Sequence, residues 1–344
     1  MPDTRLTLAL ESGAASLPAA GRLAVFDAPA EADLSALPKA RVQIVQGFAP
    51  DHHAWEERGW DVVVEPEGDF AGAVVFTPRA KLAARAMVAQ ALELTSGGPV
   101  IVDGPKAHGI DSLHKAARRT GAEVSAAFAK AHGKLFSVQA DPELFAHWIA
   151  EGAILLDGRY RTTPGVFSAD GVDPGSALLV RALPRGLRGR VADLGAGWGF
   201  LAGEALAANP DIAEMHLVEA DYVSLLCASA GVQDTRARLH WADVARFVPD
   251  APFDHVLMNP PFHTGRAPDP ALGRAFLAAA ARMLAPHGSA FIVANRHLPY
   301  ERDLVSLFGE VQEIGDDPGY KIIRAARPRR AARGGRLAGG GKIA

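Results

Sequence analysis

A buried strand that runs straight into a set of glycines and out again into an apolar helix leaves a chain few folds to adopt. Residues 191–208 read this way: the strand Val191-Ala192-Asp193-Leu194, the turn Gly195-Ala196-Gly197-Trp198-Gly199, then a helix from Phe200 to Ala208. A strand followed by a helix returns to its sheet in the same direction, so this unit calls for parallel neighbours. They are legible downstream. Residues 215–219 read as a second strand, followed by a helix from Tyr222 to Ala230. Residues 238–241 read as a third, and 253–258 as a fourth that ends at Asn259-Pro260-Pro261-Phe262. An alanine-rich helix from Ala271 to Leu284, the turn formers His287-Gly288 and a strand over 289–294 come next, with further strands near 311–314 and 320–325. Strands alternating with helices predict an α/β domain: a mostly parallel seven-stranded sheet, helices on both faces. Ligands of such sheets bind at the carboxyl ends of the strands.

The first half carries a fainter copy. A strand over 73–78 is followed by an alanine-rich helix from Arg79 to Leu94, then Gly97-Gly98 and a strand over 99–103. The order matches strand, Asn259-Pro260, helix, His287-Gly288, strand. Further on, Gly133-Lys134-Leu135-Phe136-Ser137-Val138 is similar to Gly319-Tyr320-Lys321-Ile322-Ile323-Arg324. The pattern predicts two tandem α/β domains, the first degenerate: it has no Gly-x-Gly-x-Gly loop, and Thr77-Pro78 stands where the second half has Asn259-Pro260-Pro261-Phe262. Two unrelated α/β domains would look similar at this level, and both readings stand. Turn formers at Asp157-Gly158 and Thr162-Thr163-Pro164-Gly165 place the boundary near 155–165. The expected units are 1–155, 156–327 and a tail over 328–344. The tail is rich in Gly, Ala and Arg without apolar periodicity, which predicts disorder.

Composition limits the function classes. The 344 residues suffice for two cores, and 49% apolar with 22% charged residues is globular usage. Lys plus Arg is 36 against 39 Asp plus Glu, so the overall charge makes no case for a nucleic-acid partner. The placement is uneven, because eight basic residues from Lys321 onward meet no acid after Asp317. This basic end suits phosphate contacts or mere solubility, and nothing in it chooses. The single cysteine, Cys227, excludes an intrachain disulfide and a multi-Cys zinc site. With no apolar run of bilayer length and no secretory signal pattern, a cytoplasmic protein is expected, with no membrane partner. His52-His53 lack further ligands at metal spacing and are expected at the surface. Cys227 lies in a predicted helix and is expected to be packed.

The chemistry concentrates in the second half. Glycines let a backbone turn sharply and let a ligand come close. A dinucleotide loop shares them, but it cradles a pyrophosphate on a helix N-terminus, and the Asp193 carboxylate would repel that group. Asp193 suits a cofactor with a cationic amino acid end, such as S-adenosylmethionine. Glu219, ending the second strand, can accept from ribose hydroxyls, which fits either cofactor. Asp243, after the third strand, reads equally as an acceptor for an adenine amino group or as a solvated loop acid. Asn259-Pro260-Pro261-Phe262 is the strongest motif. Its prolines remove two backbone donors and stiffen the segment. The Asn259 side-chain oxygen and the Pro260 carbonyl are then two fixed acceptors, which suit an –NH2 group. Phe262 offers a face for stacking a base. An isolated motif of this kind would be a rigid turn. After a strand, downstream of the glycine loop and Glu219, it predicts methyl transfer to an amino nitrogen, for which alignment of the reactants is the main requirement. A base inside a helix would have to be flipped out.

These residues resemble a class I S-adenosylmethionine-dependent methyltransferase with an amino-methylating site. Gly165-Val166-Phe167-Ser168, Asp170-Gly171-Val172-Asp173 and Gly175-Ser176 are similar to the segment preceding the glycine loop in ribosomal RNA guanine-N2 methyltransferases. So are Asn259-Pro260-Pro261-Phe262-His263 and Ile292-Val293-Ala294-Asn295 with Leu298-Pro299-Tyr300. The resemblance narrows to the small-subunit (16S) rRNA methyltransferase C family, is specific over 165–325 and loose over 1–155. It implies that Asp193, Gly195, Gly197, Glu219 and Asp243 hold S-adenosylmethionine, with Asp173 and Ser176 shaping its methionine end. It implies that Asn259, Pro260, Pro261 and Phe262 hold the target guanine, and that the first domain supports folding and helps dock RNA. The implied partner is ribosomal RNA or a ribosomal subunit, with a monomer as the default state. The alternatives are the same chemistry on large-subunit rRNA, adenine N6 or a protein glutamine amide, a nucleotide-dependent oxidoreductase, or a non-catalytic RNA-binding assembly factor. The Gly-Ala-Arg tail departs from the family core.

Overall fold

The computed structural model describes residues 5–149, 154–261, 263–264, 267–268 and 270–329. It contains two α/β units in tandem. The first runs α1 (Arg5–Glu11), β1 (Leu23–Phe26), β2 (Val42–Val45), α2 (Ala49–Glu57), β3 (Asp61–Val63), β4 (Gly72–Phe76), α3 (Lys81–Leu94), β5 (Val100–Pro105), α4 (Ile110–Arg119), β6 (Glu123–Val124) and β7 (Gly133–Gln139). The second runs α5 (Pro174–Ala182), β8 (Gly189–Leu194), α6 (Phe200–Ala208), β9 (Ile212–Glu219), α7 (Tyr222–Gly231), β10 (Ala237–Trp241), β11 (Phe253–Met258), α8 (Pro270–Met283), β12 (Leu284–Asn295), α9 (Glu301–Leu307), β13 (Phe308–Asp316) and β14 (Tyr320–Pro328).

The two sheets share one strand order, β3-β2-β1-β4-β5-β7-β6 and β10-β9-β8-β11-β12-β14-β13. In each the first five strands are parallel. In each the strand after them is antiparallel to its neighbours. Identical order, including the late antiparallel strand, supports duplication over chance similarity. The first sheet departs from seven strands, because Phe128–Lys130 adds an eighth by pairing with β7.

The central strands are apolar throughout because helices cover both faces of the sheet. In β8 the last four residues, Val191 to Leu194, are all buried. Helix α6 buries Leu201, Ala202, Ala205 and Leu206 against the sheet. Each large aliphatic side chain buried this way contributes roughly 1.5–3 kcal/mol. The hairpin Ile154–Leu156 with Tyr160–Thr162 belongs to the second unit. Tyr160 is buried in that core, and its hydroxyl donates to Glu204 Oε1 at 2.7 Å.

Some expectations need correction. His287-Gly288 does not end a helix–strand turn: β12 begins at Leu284, and its register against β11 shifts between Phe253 and His255. The turn formers sit in an irregularity within the strand. His52 and His53 are not plain surface residues but lie half-buried against Trp241 at the junction of the two units. Ordered structure runs past 327, since β14 ends at Pro328 and Arg329 N donates to Leu307 O. The rest of the expected tail lies outside the described residues. Cys227 is buried in α7, as the apolar helix pattern predicts, and burial raises its thiol pKa.

Candidate active site

The glycine loop leaves β8 at the carboxyl edge of the sheet. Gly195, Gly197 and Gly199 all have left-handed backbones, with φ of +73°, +54° and +86°. Only glycine adopts these angles without strain. Two of the three are also packed closely. A Cβ on Gly195 would come within 3.0 Å of the Phe276 ring, and one on Gly199 within 2.7 Å of Val232 Cγ2. A Cβ on Gly197 would meet nothing within 4 Å. Gly197 therefore faces open space with no side chain in the way, which is what close approach by a ligand needs.

Two acids flank the loop. Asp193 is 0% exposed. Its Oδ2 accepts from Ala202 N at 3.1 Å, while Oδ1 has no hydrogen-bond partner. Burial, with a smaller contribution from the Glu219 charge, pushes its pKa up to about 7. An orphaned carboxylate oxygen in such a place is relieved by a cation. Glu219 ends β9, with Oε2 accepting from Gly197 N at 2.7 Å and Oε1 from Asp221 N at 2.8 Å. Burial raises its pKa as well. Each of its oxygens keeps a further lone pair for a hydroxyl. Asp243 follows β10 and caps its own loop by accepting from Ala245 N at 2.8 Å.

Asn259 stands immediately after β11. Its Nδ2 donates to Asp173 Oδ1 and to Ser176 Oγ, both at 2.9 Å. With both amide hydrogens taken, the Oδ1 end is left as an acceptor. Asp173 Oδ1 also accepts from Ser176 N at 2.8 Å, capping α5. One carboxylate thus starts a helix and orients Asn259. Pro260 is buried and Pro261 half-buried. Phe262 lies outside the described residues.

Asp173, Ser176, Gly195, Gly197 and Asn259 line a single pocket with Phe167, Trp198 and Phe200. Asp193 sits beneath the loop and Glu219 is bonded to its crest, so most of the predicted residues meet at one place. Asp243 stands apart from this pocket's lining. Asp173 and Ser176 touch Asn259. Trp198 was legible only as an odd aromatic among glycines. Its Nε1 donates to Phe167 O at 2.8 Å, which pins the segment over the pocket. Phe167 itself is 61% exposed. The donor set fits S-adenosylmethionine: an unpaired buried acid for its cationic end, a bare glycine for close approach, and a strand-end acid for hydroxyls.

Residues 157–324 match the family described as the methyltransferase small domain. The chain is 29% identical over 281 residues to the ribosomal RNA small subunit methyltransferase C of Shewanella amazonensis, covering 78% of this chain and 79% of that protein. It is 34% identical over 193 residues to the ribosomal RNA large subunit methyltransferase G of Streptomyces avermitilis, covering 54% and 50%. Among solved structures, the T. thermophilus 16S rRNA N2 G1207 methyltransferase (RsmC) in complex with AdoMet and guanosine is similar with a TM-score of 0.76 and 27% identity, over 91% of this chain and 90% of that one. The chain is a class I S-adenosylmethionine-dependent methyltransferase similar to the methyltransferase C type. The paired domains of this methyltransferase account for its two sheets of one order. Among the described residues, no helix is long and apolar enough to cross a membrane, and no group of three His, Cys, Asp or Glu could hold a metal ion.

Proposed function

We propose that this methyltransferase acts on the exocyclic N2 amino group of a guanine in small-subunit ribosomal RNA, with S-adenosylmethionine as donor. The observation that carries the reading is the held amide of Asn259. Asp173 and Ser176 take its two hydrogens, so its oxygen is an acceptor of set direction beside the glycine loop. An amino group needs such an acceptor.

In this reading Asp193, Glu219 and the Gly195–Gly199 loop hold the cofactor, with Asp243 serving its base end. The cofactor, when bound, supplies a methyl group already activated by a sulfonium charge. Asn259 Oδ1 and the Pro260 carbonyl accept the two amine hydrogens and so direct the nitrogen lone pair. The same acceptors stabilise positive charge that develops on that nitrogen. The Asp173 carboxylate on Nδ2 polarises the amide and makes its oxygen a stronger acceptor. Phe167 offers an exposed apolar face next to Asn259 for the flipped base, and Phe262 is proposed as a further stacking surface. The first domain, which lacks the loop, is assigned to support and RNA docking, with the boundary near 155.

The test is radiolabelled methyl transfer to small subunits lacking this modification, with large subunits and deproteinised rRNA alongside, followed by nucleoside analysis. Label in N2-methylguanosine from small subunits is the expected result. The likeness to large subunit methyltransferase G makes large-subunit RNA the second acceptor to score. Cofactor binding without label in any RNA would overturn the rRNA assignment.

A further inference from the structure

The three residues after Glu219 are held from two sides. From within, Asp221 N donates to Glu219 Oε1 at 2.8 Å, and the other oxygen of that carboxylate accepts from Gly197 N. From outside, the first domain meets the same residues. Ala49 N donates to Ala220 O at 2.9 Å, Tyr222 N donates to Gly47 O at 3.0 Å, and Phe48 forms an antiparallel bridge with Asp221. Trp241 ends β10, two residues before Asp243. Its indole N–H lies 2.9 Å from Gly47 O and 2.9 Å from Ala220 O, one carbonyl from each domain. The His52 ring stands edge-on to the Trp241 ring, with centroids 4.9 Å apart. The first-domain side is itself braced, because Gln46 accepts from Phe48 N at 2.8 Å and donates to Ala28 O at 2.9 Å.

We infer that the first domain completes the cofactor site: residues 47–49 and the Trp241 N–H clamp the 220–222 backbone, which sets the Glu219 carboxylate against the glycine loop. The inference rests on the reading that this site binds S-adenosylmethionine. These contacts fall on the three residues that follow one cofactor acid and on an aromatic just before another. A second domain contact, the exposed ion pair of Arg246 with Glu57 at 2.8 Å, is made by side chains and touches neither acid's carboxylate, although Arg246 N donates to Asp243 O at 3.0 Å. Trp241 is thus a positioning residue, acting through the backbone that carries Glu219. A lone second domain would leave Tyr222 N to water and Ala220 O with the Trp241 N–H alone, and so free this turn to move.

The experiment uses the full-length protein and calorimetric titration with S-adenosylmethionine. Trp241→Phe keeps a ring and removes the shared donor. The expected result is about tenfold weaker cofactor binding, the equivalent of about 1.4 kcal/mol. At saturating cofactor, kcat and the KM for RNA stay within twofold. Hydrogen exchange at the Gly197 and Asp221 amides speeds up, while amides of β8 and β11 do not change. Arg246→Gln, at the other domain contact, leaves cofactor affinity within twofold. Ala49→Pro removes the donor to Ala220 O at a helix position where proline is tolerated, and it carries the same expectation should Trp241→Phe fail to fold. Wild-type affinity in Trp241→Phe or, if that variant does not fold, in Ala49→Pro overturns the inference. So does an equal loss in Arg246→Gln, which would make domain packing in general the cause. A wild-type protein that binds no S-adenosylmethionine overturns the cofactor reading itself, and this inference with it.

Discussion

Replacing Asp193 with asparagine tests the electrostatics of the site directly. The carboxyl is 0% exposed, one oxygen lacks a partner, and burial raises its pKa from 3.8 to about 7. That gap corresponds to about 4 kcal/mol. Because the folded state binds this proton more tightly than the unfolded chain, the group's contribution to stability is complete below about pH 4. It is lost as the pH rises toward 7. Above that, the ionised buried acid destabilises the cofactor-free protein by about 4 kcal/mol. Asparagine is the isostere of the protonated acid, and its oxygen can still accept from Ala202 N. The variant should therefore gain on the wild type steadily between pH 4 and 7, by about 4 kcal/mol in total. Urea unfolding of both proteins across pH 4–8, followed by tryptophan fluorescence, measures the difference. Asp27, whose pKa burial also raises to about 7, contributes a slope common to both and cancels. A stability difference that stays constant with pH would refute the reasoning. A cationic ligand beside Asp193 favours its ionised form, so wild-type cofactor affinity should rise with pH up to about 7. In the variant that dependence should flatten and the affinity should fall.

Other substitutions separate binding from turnover. Asn259→Ala should lower kcat at least 100-fold, roughly the loss of about 2.7 kcal/mol expected for a transition-state hydrogen-bonding group, with cofactor affinity within twofold by calorimetry. Asp173→Ala removes both the α5 cap and the partner of Asn259. It should cost about 1 kcal/mol of stability in urea unfolding and lower kcat with little change in KM for RNA. Gly197→Ala places a Cβ in open space at a φ of +54°. Its strain should cost roughly 1–2 kcal/mol, and the methyl should weaken cofactor binding more than tenfold in the same titration.

The site was legible to the extent that its function sits in local sequence. The Gly195–Gly199 loop, Glu219 and Asn259 each carry their meaning in residue type and in their place after a strand. A topology of alternating strands and helices then brings strand ends together. What lay beyond reach was held in contacts distant along the chain. Asn259 is 86 residues from Asp173, and no spacing rule joins them. Trp241 is 194 residues from Gly47. His52-His53 read as surface because a dipeptide says nothing of a second domain packed on it.

The sequence by itself determined the α/β class, the alternation of strands and helices and the chemistry of the strand ends. Buried parallel strands must be apolar, tight turns need glycine, and an amino-group acceptor needs an oxygen held without competing donors. Only the tertiary structure decided which way the Asn259 amide faces, which carboxylate is left unpaired, and that the first domain grips the turn after Glu219. Those are matters of direction and desolvation, settled by groups that meet only when the chain has folded.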